Sequence, residues 1–511
     1  MALFRAAPVL TTQPVILSDA LRNPDAYPHP VPDEVEFFQT HISRVFVAGD
    51  RAYKIKRPVT LPFLDYGTLE RRRHFCEQEL ELNRRLAPAV YLGLAAVTAG
   101  PDDTYRFTPI ENLEADEEIH EWAVVMRRLN PEDNLRARLR RDDVPTGFFT
   151  RLGHRLARFH RDARRGPEIS EPARFDTVHR LAMDNFAVAP HFDELASDLE
   201  AELLRLKPLI EARARDHIPC DCHGDLRLEH VYHSHQEGLE IVDCIEFNDE
   251  LRYSDPASDL AFLLMDLEVR NYRDESRRLL RAYRDASEHS VPWSLLRLYR
   301  VYRSCVRGKV HTLMASDQAA TSERKAHSER KARGHFQYAV DTLAEPGEIL
   351  LVAGLPATGK STLARELRAR GDVEVVLDSD VVRKELAGLA PTSSARADLN
   401  AGIYTPEFSD RTYQELRRRA QEALTQGHSV AIAATFVKAH RRAEFLEMAS
   451  EIGAPIRFLE CRIPRDLAME RIKARTDDPS DATAEVYDTL ATAWEPLSPQ
   501  LRQIHEVIST S

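Results

Sequence analysis

Apolar and polar residues alternate from Arg44 to Lys56 (RVFVAGDRAYKIK) and break at Gly49 and Asp50. That period of two predicts an antiparallel hairpin with a tight turn. Residues 68 to 87 (TLERRRHFCEQELELNRRLA) change to a helical period, with Phe75, Leu82 and Leu86 on one face. A short strand is expected over Trp122 to Met126. From about residue 147 the chain reads as mainly helical, interrupted by CDCHGDLRLEHVYH and then by LEIVDCIEF. The first 35 residues hold Pro24, Pro28, Pro30 and Pro32 and are expected to lie as an extended surface arm. The SERKA unit beginning at Ser322 recurs at Ser328, which predicts a solvated helix or linker and is too short for a solenoid. A domain boundary is expected near Glu345–Gly347. Beyond it EILLVAGLPATGKST starts a buried strand, and strands then alternate with helices, the pattern of an α/β domain with a largely parallel sheet.

Length and charge narrow the function. A chain of 511 residues exceeds one hydrophobic core and predicts two to four domains. With 43% hydrophobic and 30% charged residues it has the profile of a soluble enzyme. A net charge of −12 argues against sequence-independent nucleic-acid binding, which needs surplus Lys and Arg. Six cysteines in so long a chain do not read as a disulfide framework, and no apolar run is long enough to span a bilayer. The opening residues lack the basic and apolar regions of a secretory signal. A cytoplasmic protein without a membrane partner is expected.

The sharpest chemical signal is Gly354 to Ser361, GLPATGKS, which fits G-x-x-x-x-G-K-[ST] after an apolar strand and before the helix-like TLARELRAR. Gly354, Ala357, Thr358, Gly359, Lys360, Ser361 and Thr362 are the expected nucleotide-binding residues. Backbone amides would wrap the phosphates, Lys360 would reach the β- and γ-phosphates, and Ser361 would bind Mg²⁺. The next strand, Val373 to Leu377, ends in Asp378-Ser379-Asp380, with Arg383 one turn on. This part resembles the small P-loop kinases (AAA type) related to polynucleotide, gluconate and adenylylsulfate kinases. The resemblance implies Asp380 at the acceptor hydroxyl and Arg383 facing it; the plainer reading is that DSD caps a helix. Arg471 and Arg475 share a helical face. They resemble the lid arginines of these kinases, with Arg475 on the transferred phosphoryl, although a solvated Arg face has the same spacing. Relatives carry D-A-T-F where Ala433 to Phe436 reads AATF, so one carboxylate is missing.

Residues 223 to 232 (HGDLRLEHVY) and 240 to 247 (EIVDCIEF), followed by NDELRYSDPASDLA, resemble the aminoglycoside phosphotransferase family of protein-kinase-like fold. The resemblance implies that Asp225 is the catalytic Asp, Asp243 the Mg²⁺ carboxylate and Asp259 a structural brace. The family places Asn five residues after the catalytic Asp as a second metal ligand; here that residue is His230. Mg²⁺ prefers oxygen donors to imidazole. Either His230 contacts phosphate, or Glu246 takes over some metal binding, or the site is slow. A kinase-like lobe also needs a strand lysine and a helix glutamate. Lys56, ahead of Lys54, is the expected lysine, with Glu79, or otherwise Glu77, as its partner. Cys220, Cys222, His223 and Cys244, with His230, His233 and His235 nearby, lack the paired C-x-x-C spacing of a zinc site. The Arg-rich runs between residues 136 and 143 read as solvated helix faces.

YPHPV, THISRVFVAGDRAYKIKRPV, FLDYGTLERRRHFC, LNRRLAP, CIEFNDELRY and GLPATGKST together resemble the bifunctional aminoglycoside phosphotransferase/ATP-binding proteins. The expected architecture is an α+β kinase-like domain over 1–335 (N-lobe about 36–128, helical C-lobe about 129–335) and an α/β P-loop domain over 346–511. The expected function is ATP- and Mg²⁺-dependent phosphotransfer to a small-molecule hydroxyl, with one nucleotide site per domain. Three readings compete with it. The P-loop domain alone is catalytic and the first domain is a scaffold; or the chain is an ATP-binding regulatory switch; or it phosphorylates polynucleotide 5′-hydroxyls, which the acidic charge disfavours.

Overall fold

The structure is a computed structural model that describes residues 13–61, 64–100, 104–189, 192–234, 238–318, 320–390, 402–474 and 483–510. The chain separates into two compact units, residues 1–181 with 210–288 and residues 182–209 with 289–511.

The first unit opens with a six-stranded antiparallel sheet. Its strands are β1 (Glu36–Gln39), β2 (Ser43–Ala48), β3 (Arg51–Lys56), β4 (Tyr91–Ala99), β5 (Tyr105–Pro109) and β6 (Ile119–Arg127), in the order β1-β2-β3-β6-β4-β5. The predicted hairpin is β2–β3, with Phe46 opposite Tyr53 and Gly49 in the left-handed conformation that its two-residue turn needs. Alternation then sorts β3 by face. Tyr53 and Ile55 join Phe46, Phe107 and Val125 in one apolar layer. Lys54 and Lys56 point the other way, where Trp122, Val124 and Leu94 pack near helix Leu69–Arg84. That helix begins where Thr68 caps it by accepting from the Arg71 amide.

The described residues before the sheet do not form an extended surface arm. Leu21, Ala26, Tyr27 and Val35 are buried in the Phe46–Phe107 layer, and Tyr27 donates its hydroxyl proton to the Leu21 carbonyl. Burial of this kind stabilises by roughly 1.5–3 kcal/mol per large side chain, which outweighs the extended preference of the flanking prolines. After the sheet the unit is helical, with Phe148–Asp162, Pro256–Glu268 and Arg273–Ala286. A short antiparallel pair, Val231–Ser234 with Gly238–Ile241, follows the HGD segment.

The second unit contains a five-stranded, wholly parallel sheet. Its strands are β7 (Ile349–Ala353), β8 (Val375–Asp378), β9 (Val430–Ala433), β10 (Ile456–Arg462) and β11 (His505–Ser509), in the order β8-β9-β7-β10-β11. The central strand β7 is buried along its whole length, as a parallel strand covered on both faces must be. Helices Trp293–Ala315 and Ser322–Leu343 belong to this unit, and the SERKA repeat lies in the second of them with Ser328 and Ala332 buried. Arg297 donates to the Glu345 carbonyl and to Glu202, while the Trp293 indole donates to the Pro346 carbonyl. These bonds tie the residues just before β7 to the helix pair. Among the described residues no helix is long and apolar enough to cross a membrane.

Candidate functional site

In the first unit the two lysines of β3 meet the helix carboxylate. Lys54 Nζ lies 2.7 Å from Glu79 Oε1 and 3.4 Å from Asp243 Oδ1. Lys56 Nζ lies 2.7 Å from Glu79 Oε2 and also bonds Glu246 Oε1. The Tyr66 hydroxyl donates to the same Glu246 oxygen at 2.8 Å. Lys56 is 1% exposed, whereas the Lys54 side chain keeps 18% of its surface and the Asp243 side chain 50%. Only the Lys54 end of the constellation is therefore open to a ligand. Burial opposes charge on Glu79, but the two ammonium groups hold its carboxyl below the usual range. Burial likewise works against both lysines, and their carboxylate partners raise them well above an ordinary lysine. Glu77 is half-exposed and pairs with Arg73 on the helix surface, outside the site.

Asp243 sits at a bend with a φ of 65°, a left-handed conformation uncommon for a non-glycine residue. Its neighbours fix it there. The Asp243 amide donates to the Tyr91 hydroxyl, the Cys244 amide to the Asn83 side chain, and the Val242 amide to the His230 carbonyl. Burial disfavours a charged Asp243, yet Lys54 and the nearby basic groups hold its carboxyl well below the normal range. The Tyr91 and Asn83 bonds hold the backbone in its left-handed conformation.

The HGD loop is braced from below. Asp259 accepts from the His223 amide at 2.8 Å and the Gly224 amide at 2.9 Å, and Gly224 adopts a φ of 87°. His223 Nε2 donates to the Val242 carbonyl; burial lowers this imidazole to about 4, so it stays neutral as a donor. Donor atoms of Asp225, His230 and Asp243 come within 4.8 Å of one another. Glu246 is not in that group, because its carboxylate serves Lys56 and Tyr66. Arg227 donates to Asp225 Oδ1 at 3.0 Å, a role that no motif in the sequence marks. Its one signal is its place two residues after the catalytic-type Asp. Cys220 and Cys222 have sulfurs 3.6 Å apart, and all six cysteines are buried and unpaired.

His160 supports the loop from a second layer, with Nε2 3.2 Å from Asp259 Oδ2. Burial lowers its basicity, but the Asp259 bond outweighs it and raises the imidazole from 6.5 to about 9. A raised folded value contributes stability below pH 6.5 that is lost as pH climbs through about 9, roughly 3 kcal/mol in all. His160→Gln is therefore expected to lower the melting temperature by several degrees at pH 6 and by much less at pH 10. Calorimetry at the two pH values checks this, and a gap independent of pH contradicts it.

In the second unit the predicted loop leads from β7 into helix Lys360–Ala369. Gly354, Ala357 and Gly359 have φ values of 147°, 65° and 88°, positive values of the kind that build anion-binding backbone concavities. A Cβ on Gly354 would lie 2.6 Å from Thr358 Oγ1 and 2.7 Å from the Cys461 carbonyl, so only glycine closes the loop. Lys360 Nζ donates to the Leu355 carbonyl at 2.9 Å, folded over the loop; Ser361 and Thr362 follow in the first helical turn. Thr510 donates its hydroxyl proton to the Thr358 carbonyl and accepts from Arg471 Nη2, linking Arg471 to the loop. Arg475 lies outside the described residues. Asp378 caps helix Ser379–Leu386 by accepting from the Asp380 amide, which leaves the Asp380 side chain in the first turn. Arg383 does not face open space. It is buried, donates to the Ile403 carbonyl and Ser409, and lies over the Tyr404 ring. Ala433 is buried at the end of β9, so no carboxylate stands there.

A lysine–glutamate pair beside a strained strand-end aspartate, together with a P-loop on a parallel sheet, defines a kinase-like phosphotransferase domain followed by a P-loop domain. The comparisons agree. The phosphotransferase enzyme family matches residues 71–302, and the AAA domain family matches residues 349–497. An uncharacterized protein of Mycobacterium tuberculosis is 33% identical over 478 residues, covering 91% of each chain. The chain belongs to this family of proteins that join a phosphotransferase domain to a P-loop domain. The adenylyl-sulfate kinase of Paraburkholderia xenovorans is 36% identical over 138 residues, 24% of this chain and 68% of that enzyme. A choline/ethanolamine kinase family protein of Mesorhizobium loti aligns with 64% of this chain and 99% of its own, at 15% identity and a TM-score of 0.36. The two families use ATP, commonly with Mg²⁺.

Proposed function

We propose that the protein is an ATP- and Mg²⁺-dependent phosphotransferase that acts on the hydroxyl of a small molecule, with a nucleotide site in each of two modules, the kinase-like one and the P-loop one. The carrying observation is Lys54, held between Glu79 and Asp243 with part of its side chain exposed. In this reading Lys54, rather than Lys56, contacts the ATP phosphates, because Lys56 is sealed among Glu79, Glu246 and Tyr66. Lys56 then fixes Glu79 from behind. Asp243, whose carboxylate stays ionised, would hold Mg²⁺, which neutralises charge on the phosphates. Asp225 would accept or orient the acceptor's hydroxyl proton. Transfer of this kind rests on alignment and charge neutralisation, so fixed carboxylates on short loops suit it. The net charge of −12 supports a small acceptor over a polynucleotide.

In the second module the amides of the loop, Lys360 and Ser361 would cradle the phosphates, with Asp380 nearest the acceptor side. A second reading has an observation of its own. Ala433 supplies no carboxylate, and Arg383 is engaged with Ile403 and Tyr404. On that reading the P-loop module binds ATP and regulates without turning it over.

Calorimetric ATP binding to the Lys360→Ala protein, where the first module carries the remaining site, tests the assignment. Adding Lys54→Ala is expected to weaken that binding about ten- to a hundredfold, the scale of a lost charge-assisted contact to phosphate. Binding that survives Lys54→Ala but disappears with Lys56→Ala would reverse the two lysines, and no binding before either change would remove the site.

A further inference from the structure

Asp225, His230 and Asp243 are spaced so that one cation could bridge them, and in protein kinases an Asn of the catalytic loop holds a second Mg²⁺. The hydrogen bonds around His230 point elsewhere. Its Nδ1 lies 2.8 Å from the Asp225 main-chain oxygen, which only accepts, so the ring proton sits on Nδ1. Its Nε2 lies 2.9 Å from Arg227 Nη2, which only donates, and 3.4 Å from Asp243 Oδ2, so the Nε2 lone pair accepts a guanidinium proton beside the Asp243 carboxylate. Both ring nitrogens are committed and neither is free to ligate. His230 is itself buried, at 8% exposed, which keeps the ring in this pose.

The same guanidinium bonds Asp225 Oδ1 at 3.0 Å and Glu229 Oε2 at 3.2 Å, and its side chain is 14% exposed. A permanent positive charge therefore stands directly on the catalytic-type carboxylate, between it and the residue that replaces the second metal ligand. Arginine suits this task because it stays protonated and offers donors in a rigid fork.

We propose that Arg227, anchored on His230, supplies the positive charge that a second metal ion supplies in protein kinases, so that the first module takes a single divalent cation, at Asp243. The proposal rests on the reading of the first module as a nucleotide site. Arg227 acts as a positioning residue: it holds the Asp225 carboxylate in place and offsets its charge without touching the transferred group.

The test is the number of Mn²⁺ ions per protein-bound nucleotide, read by electron paramagnetic resonance with a non-hydrolysable ATP analogue on the Lys360→Ala protein. One Mn²⁺ per bound analogue is expected. Two would overturn the proposal while leaving the nucleotide site intact, and absence of analogue binding would overturn the nucleotide reading and the proposal with it. Arg227→Met should free His230 Nε2 and raise the count from one to two, whereas Arg227→Lys, which keeps the charge, should leave it at one. A count that stays at one in Arg227→Met also contradicts the proposal. Circular dichroism identifies a variant that fails to fold, and in that case the count on the Lys360→Ala protein still decides.

Discussion

Replacing Asp225 by alanine is expected to lower phosphoryl transfer by the first module about a thousandfold, near 4 kcal/mol of barrier, with ATP affinity almost unchanged. The expectation follows from where the side chain stands. Asp225 is one of three groups that converge within 4.8 Å; its carboxylate accepts from Arg227 and its main-chain oxygen from His230, while Lys54 pairs with Glu79 and Asp243. On the proposed assignment, loss of the Asp225 carboxylate removes the group that would orient the acceptor and leaves in place the end that would contact phosphate. The loop should keep its shape, because Asp259 holds the neighbouring His223 and Gly224 amides independently of Asp225. A fall in kcat without a comparable change in nucleotide Kd is the signature to measure. A matching loss of nucleotide affinity would place Asp225 among the phosphate ligands instead.

The second large effect concerns Lys360. Alanine there removes the ammonium that now folds over the Leu355 carbonyl and would swing to the β- and γ-phosphates. A charge-assisted contact of this kind is worth roughly 1.5–3 kcal/mol, so ATP affinity of the P-loop module should fall about ten- to a hundredfold. Fold stability should hardly change, since the loop is shaped by Gly354 and Gly359 and by the Thr358–Leu355 and Thr358–Thr510 bonds. Titration of wild type and variant with ATP, each with the Lys54→Ala change to weaken the first module's site, resolves the effect. Equal affinities would mean that the loop holds nucleotide without its lysine.

Local patterns in the chain were read correctly where a short-range rule governs them. The β2–β3 hairpin follows from strict alternation around Gly49, and the P-loop from glycine spacing between an apolar strand and a helix. The features that could not be read depend on distance through space. Lys54 and Lys56 are two residues apart on one face of β3. Their difference arises because Glu246 and Tyr66, 190 and 10 residues from Lys56, seal one lysine and not the other. Glu246 looked available to a metal for the same reason: its partner was invisible along the chain. The prolines before Val35 concealed a segment whose apolar residues pack into the sheet. Arg383 was expected at an acceptor because helical spacing gives a direction but not what fills it, and here Tyr404 and Ile403 do. Arg227 carried no periodic signal, and only the fold sets it against both Asp225 and His230.

ATP consumption against a broad panel of hydroxyl-bearing metabolites, run in parallel on wild type, Asp225→Ala and Lys360→Ala, assigns turnover to one module or the other. An acceptor is expected whose turnover Asp225→Ala abolishes and Lys360→Ala spares. Turnover abolished by Lys360→Ala alone would contradict this expectation and would make the kinase-like module a scaffold for the P-loop enzyme.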